Sequence, residues 1–289
     1  MIKAIILSMR PKQWTKNLFV FAGLLFTLDS HHQIADYIKV ALAFVMFCIL
    51  SGVVYLINDI LDVEHDRKHS AKSKRPIAAG RLSVKAAWAA AGVLLPVGVA
   101  GSFAVNTQLG EVALLYVGLL TAYSLFLKNI VILDVMTIAA GFVLRAVAGA
   151  VAIQVEMSPW LLICTILIAL FLGLAKRRGE LSGLREEAAN HRAILAQYSM
   201  PLLDQLIGIT AASTIIAYAL YTFFSETGQA HPYMIATLPF VIYGVFRYLM
   251  LIHQSSDSAS PELLLLKDKP LQVDIGLWAL ACALIVVVS

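Results

Sequence analysis

Apolar residues in this chain run in blocks about as long as a bilayer is thick, broken by short polar stretches. A helix needs about 20 apolar residues to cross the hydrocarbon layer. Nine blocks approach that length: about 14–30, 38–58, 86–105, 111–127, 130–153, 159–176, 203–225, 232–253 and 271–288. They are continuous rather than alternating apolar with polar, which excludes a membrane β-barrel. No fixed-period repeat, low-complexity tract or linker divides them. The pattern predicts an all-α, polytopic membrane protein with nine transmembrane helices in one integral domain, residues 1–289.

Composition agrees with that class. The chain is 60% hydrophobic and 14% charged, with a mean hydropathy of +0.82, whereas a soluble domain carries about 25% charged residues. The opening "MIKAIILSMRPKQWTKN" has bases on both sides of a short apolar piece and no small-residue cleavage site, so no cleaved signal is expected. Cys48, Cys164 and Cys282 all fall inside blocks without metal or redox spacing, which assigns them to packing.

Charge changes the picture by giving it a direction. Arg10, Lys12 and Lys16 flank the start of the first block, and seven Lys or Arg lie in 67–85. Lys128, the stretch Lys176–Arg192, Arg247, Lys267 and Lys269 continue the series on alternate loops. The intervening loops near 31–37, 106–110, 154–158 and 226–231 contain neither Lys nor Arg. By the positive-inside rule the N-terminus and the polar loops face the cytoplasm of an inner (cytoplasmic) cell membrane. Only Lys39 and Arg145 depart from the alternation. The net charge of +4 is thus accounted for by topology, and nucleic-acid binding has no support.

Chemistry concentrates where the second block ends. "NDILDVEHD" places Asn58, Asp62 and Asp66 at i, i+4 and i+8, on one helical face, with Asp59 a turn from Asp62. Carboxylates this close repel unless a cation neutralises them. Oxygen-only donors suit Mg²⁺, which takes one or two carboxylates and completes its shell with water and phosphate oxygens. Asn58, Asp59, Asp62 and Asp66 are therefore candidate metal ligands, with Asp62 and Asp66 the catalytic pair. Because the cluster begins inside an apolar run, where ionisable groups are costly, a functional role outweighs a solvated helix end. The following loop supplies Arg67, Lys72, Lys74 and Arg75 as an anion cradle. Arg75 before Pro76 is the strongest of these, since proline fixes the local backbone and a guanidinium can clamp phosphate through two donors.

"NDILDVEHD" fits the NDxxDxxxD motif of the UbiA superfamily of intramembrane prenyltransferases, and "KSKRPIAAG" resembles the basic segment that follows it there. The resemblance covers nearly the whole chain and implies nine helices around a cytoplasm-facing cavity, with Mg²⁺ as cofactor. Members that prenylate aromatic acceptors carry a second motif, DxxxD, after the sixth span. Here that place reads "LAKRRGELSGLREEAANHRAILAQYS": Lys176, Arg177 and Arg192 bring bases where acids are expected, which favours direct binding of an anionic group, and Glu180, at i+4 from Lys176, is a further candidate contact. "MRPKQWTKNLFVF", "YSLFLKNIVILDVMTIAAGFVLRAVAGA", "AKRRGEL" and "RYLMLIHQSSDSASPELLLLKDKPLQ" resemble the decaprenyl-phosphate phosphoribosyltransferase branch. That branch implies transfer of 5-phosphoribose from phosphoribosyl diphosphate (PRPP) to a polyprenyl phosphate, in the synthesis of cell-envelope glycolipid precursors.

Further candidate contacts are Gln13, Lys16 and Asn17 near the start, with Arg10, Gln13 and Asn17 on one face, and Tyr123 and Lys128 after the fourth block. Asp134 and Arg145 lie three turns apart on one face of the fifth block, where each needs a polar partner or a wet cavity. Two other readings stand beside the leading one. A prenyltransferase acting on an aromatic or quinone precursor would need Glu180 to substitute for the missing acids. A transporter would use the cluster as an ion-coupling site, although its polar residues gather at one membrane face rather than the midplane. The lipid bilayer is the expected environment, and the sequence leaves a homo-oligomer open.

Overall fold

A computed structural model describes residues 1–28, 32–68, 72–183, 193–254, 264 and 267–288. Among them the regular structure is entirely helical. Eight of the described helices are long and apolar enough to cross a membrane, the seventh together with the short turn before it. We number these helices α1 (Ile34–Leu61), α2 (Val84–Val105), α3 (Thr107–Leu125), α4 (Leu133–Ala152), α5 (Pro159–Gly183), α6 (Met200–Phe224), α7 (Leu238–Gln254) and α8 (Lys269–Val288). Large apolar side chains such as Leu42, Val93, Leu115, Ile216, Phe246 and Leu284 are exposed on them. In water such surfaces would be untenable; in lipid they are the expected outer face of a multi-pass membrane protein.

Local sequence explains the helix ends. Ser83 caps α2 by accepting from the Ala86 amide at 3.2 Å, and Asn106 caps α3 by accepting from Leu109 at 2.8 Å. Ser199 caps α6, with Pro201 in its first turn where the missing N–H costs nothing. Pro96 sits inside α2 without ending it.

The first apolar block departs from expectation. Instead of an α-helix over 14–30, the chain forms a 3₁₀ helix, Pro11–Phe21, and then one α-turn, Ala22–Leu25. The hydropathy pattern reports that a segment is greasy and cannot distinguish the two helix types. At about 2.0 Å per residue, a 3₁₀ segment also covers more distance per residue than an α-helix.

The chain divides into two compact units, and the first comprises Met1–Ala22, Gln33–Lys128 and Leu144–Gln154. Within it α1 packs on α2, α3 and the 3₁₀ segment. Its core gathers Met9, Leu56, Ile60, Ile77, Leu82 and Ala87. The second unit comprises Gly23–His32, Asn129–Val143 and Val155–Ser289. There α5 packs on α6, and α7 on α8. Phe171 meets Tyr248 edge-on in one core, while Phe26, Tyr218, Tyr221 and Cys282 build another.

Candidate functional site

The acid-rich helix end lies wholly within the first unit. α1 stops at Leu61 because Asp62 leaves helical geometry (φ −92°, ψ 7°), and a short helix, Val63–Lys68, follows. Hydrogen bonds of the α-helical type nevertheless bridge the junction, from the Asp62 amide to the Asn58 carbonyl at 2.9 Å and from Asp66 to Asp62 at 2.8 Å. The break changes the grouping expected from spacing. Asp59 and Asp66, seven residues and two turns apart, are both buried and share one cation. Arg75 points Nη1 between them, donating to Asp59 Oδ1 at 3.1 Å and to Asp66 Oδ2 at 2.5 Å. Asp62 turns instead to Lys128, whose Nζ reaches Oδ1 at 2.9 Å and Oδ2 at 3.1 Å.

A third base completes the arrangement. Arg10 donates Nη2 to Asp59 Oδ1 at 2.5 Å, and its guanidinium lies 4.7 Å from the centre of the Tyr55 ring. The Arg10 backbone is left-handed (φ 54°), a strained state for a residue with a side chain, and it is followed at once by Pro11. Three buried or half-buried acids thus meet three bases, and the cluster is neutral as it stands.

Arg75 is held in place by the loop that carries it. A 3₁₀ turn over Lys72–Lys74 precedes it, and its carbonyl accepts the Ala79 amide at 2.8 Å. Gly80 takes φ 72°, which a side chain would resist, so that the chain can double back. Ile77 and Leu82 then insert between Met9, Leu56 and Ile60, pinning a basic loop with an apolar plug.

The other expected residues distribute less tightly. Arg67 pairs with Glu64 at 2.9 Å on the surface, and Lys74 is exposed. Asn58, Gln13, Lys16, Lys72, Tyr123 and Lys176 are partly buried, and Arg192 lies outside the described residues. Asn17 is buried within the first unit, where its Oδ1 accepts from Arg145 Nε at 2.7 Å. Arg145 also donates to the Tyr116 hydroxyl at 2.6 Å and lies over that ring.

Asp134 takes its partners in the second unit. Its Oδ2 accepts from Arg177 Nε at 2.7 Å and its Oδ1 from the Tyr198 hydroxyl at 2.8 Å. Arg177 also pairs with Glu180. Tyr198 in turn accepts the amide of Ile132 at 2.8 Å, and Ile132 is held at φ 69°, an uncommon state for a β-branched residue. Burial pushes the Tyr198 phenol up to about 12. Asp134 and Arg145, expected on one face, therefore serve different networks. Arg177 is only 1% exposed and already faces two carboxylates, so it holds Glu180 and α4 in place instead of offering itself to an anion.

Several participants were not legible beforehand. Arg10 shares a face with Gln13 and Asn17 by spacing, but nothing local joins it to Asp59. Tyr116 and Tyr198 sit in apolar or loop sequence without any motif. Arg178, expected only to orient the chain, donates Nε to Asp204 at 2.5 Å and Nη1 to the Ile252 carbonyl at 2.9 Å.

The donor set fits Mg²⁺ in kind. Asn58, Asp59, Asp62 and Asp66 offer oxygen alone, and Mg²⁺ asks for only one or two carboxylates when phosphate and water supply the rest. Among the described residues no three His, Cys, Asp or Glu side chains converge into a ready-made metal cage. The carboxylates are closed by Arg10, Arg75 and Lys128 instead.

These features define a polytopic, all-helical membrane protein whose acid-rich helix end and basic loops form one polar centre in the first unit. A profile of the UbiA prenyltransferase family matches residues 17–267, and the chain belongs to that family. Among curated relatives, a decaprenyl-phosphate phosphoribosyltransferase from Mycolicibacterium smegmatis is 33% identical, the alignment covering 96% of this chain and 91% of that protein. The protein of the same name from Corynebacterium glutamicum is 35% identical, over 96% of this chain and 84% of that one. Among solved structures, a UbiA homolog from Archaeoglobus fulgidus bound to GPP and Mg²⁺ has the same fold, with a TM-score of 0.72 at 18% identity, covering 99% of this chain and 100% of that one.

Proposed function

We propose that this protein transfers 5-phosphoribose from PRPP to a polyprenyl phosphate and releases diphosphate, using Mg²⁺, in the synthesis of cell-envelope glycolipid precursors. The observation that carries the reading is the neutral cluster of Asp59, Asp62 and Asp66 with Arg10, Arg75 and Lys128. A diphosphate needs both signs of charge around it, carboxylates for its metal and bases for its oxygens. Similarity to the two phosphoribosyltransferases over nearly the whole chain supports the choice of donor and acceptor.

In this reading the bond between ribose C1 and the diphosphate oxygen breaks, and a lipid phosphate oxygen forms the new bond to C1. The acceptor is already anionic, so the protein needs no strong general base. Its residues orient the two substrates and stabilise the departing charge. Arg75 and Lys128, with Arg67, Lys72 and Lys74 from the same loop region, bind diphosphate oxygens. Asp62 and Asp66, with Asn58 and Asp59, hold the metal. When bound, Mg²⁺ supplies charge neutralisation on the leaving group. Gln13, Lys16, Tyr123, Lys176, Glu180 and Arg192 are assigned to the remaining polar groups of donor and acceptor. Asn17, Asp134, Arg145 and Arg177 act through the residues they hold.

The same reading places the N-terminus, the acid cluster and the long polar loops on the cytoplasmic side of the inner membrane, in one integral domain. The 3₁₀ segment stands in for the first of nine spans around a cytoplasm-facing cavity. Incubating purified protein with labelled PRPP, Mg²⁺ and polyprenyl phosphates tests the proposal. Labelled lipid is expected. Prenylation of an aromatic acid without labelled lipid would replace this reading with the aromatic prenyltransferase one.

A further inference from the structure

The bases of the acidic cluster stand where a metal would have to go. Arg10 and Arg75 both reach Asp59 Oδ1, Arg75 reaches Asp66, and Lys128 takes both oxygens of Asp62. A divalent ion arriving alone would have to displace these donors and leave them beside it as uncompensated positive charges. A diphosphate arriving alone would meet bases already paired, with three carboxylates behind them. Each ligand by itself is therefore opposed by the charge it leaves uncovered. Arriving together they remove both obstacles: the metal takes the carboxylates and the released bases take the phosphate oxygens.

We propose that Arg10, Arg75 and Lys128 are exchangeable counter-ions that move from Asp59, Asp66 and Asp62 to phosphate when the metal binds, making metal and diphosphate binding strongly cooperative. This rests on the cluster being the metal–diphosphate site. It gives Arg10, which lies outside both the acidic motif and the basic loop, a direct part in substrate capture. Two features of Arg10 fit such a part. Its backbone is held in the left-handed region at φ 54°, a cost that persists at functional positions. Its side chain is 28% exposed while Asp59 is 2% exposed, so the guanidinium is the accessible member of the pair. Its guanidinium also lies over the Tyr55 ring, 4.7 Å from the centroid, a contact independent of Asp59.

The test titrates the detergent-solubilised full chain with each ligand separately. Mn²⁺ alone is followed by the loss of its free-ion paramagnetic resonance signal, and inorganic diphosphate alone is followed by calorimetry in the presence of a chelator. In Arg10→Met the carboxylates lose a competitor, so Mn²⁺ alone should bind more tightly, by about fivefold or more, while metal-free diphosphate binds more weakly. Arg10→Lys should fall back toward the parent in both titrations. Lys128→Met, acting on the half-exposed Asp62, should show the same opposed shifts and serves if Arg10→Met does not fold. Shifts of the same sign, or no shift of either ligand, overturn the exchange. If the parent binds no Mn²⁺–diphosphate even when both are supplied, the assignment of the cluster itself fails, and the exchange with it.

Discussion

Arg177 donates Nε to Asp134 across 2.7 Å with both side chains almost wholly buried, 1% and 0% exposed. A pair this deep is poor evidence of added stability, but removing one partner strands the other. Asp134→Ala should therefore lower stability by about 3–5 kcal/mol, read as a drop in melting temperature in detergent. Tyr198→Phe removes one bond to the same carboxylate and leaves the Ile132 amide without its acceptor. It should cost less, about 1–3 kcal/mol.

Asp62→Asn keeps the size of the side chain and removes one charge from the metal donors. Turnover with PRPP and a polyprenyl phosphate should fall on the order of a hundredfold or more. The melting temperature should hardly change, because Asp62 and Lys128 are partly exposed and neither is left buried alone. Near-normal turnover in this variant would remove Asp62 from the metal site.

Arg145 and Asn17 lie 128 residues apart and meet at 2.7 Å, the arginine also touching Tyr116. A double-mutant cycle of Arg145→Met and Asn17→Leu should give a coupling energy of about 0.5–3 kcal/mol. Additive losses would mean that the contact contributes nothing of its own. Protease sensitivity should rise within Pro11–Phe21 in either single variant, since Asn17 is that segment's buried polar anchor.

Asp268 is held below the usual carboxylate range, chiefly by the hydrogen bond from Arg247. Its folded value is lower than its unfolded one, so its contribution is complete above the unfolded value and is lost as pH falls through the folded one. Asp268 also caps α8 by accepting the Leu271 amide at 2.9 Å. Hydrogen exchange at Leu271 should accelerate as pH drops from about 4, beyond the change in intrinsic exchange rate. Asp268→Asn should lack this acid limb while keeping the cap.

The apolar runs made most of the fold legible, because a bilayer sets helix length. The runs near 38–58, 86–105 and 271–288 correspond to Ile34–Leu61, Val84–Val105 and Lys269–Val288. The 3₁₀ segment escaped because helix type depends on backbone events such as left-handed Arg10, which hydropathy does not register. In the polar centre, the acids were visible through their tight spacing. Their partners were not: Arg75 follows Asp59 by 16 residues, Arg10 precedes it by 49, and Lys128 follows Asp62 by 66. Spacing on one helix also could not show that the break at Asp62 would pair Asp59 with Asp66.

At Gly149 the Val20 carbonyl occupies the space a Cβ would need, so α4 and the 3₁₀ segment touch backbone to backbone there. That contact and the Arg145–Asn17 bond both wait for residues made long after the segment itself. At a ribosomal pace of about 5–20 residues per second, the newborn segment spends on the order of ten seconds without its α4 neighbours. Until then α1 alone serves Asn17, whose Nδ2 donates to Ser51 Oγ at 3.3 Å and to Cys48 Sγ at 3.2 Å, so the segment settles in two stages, first on α1 and later on α4.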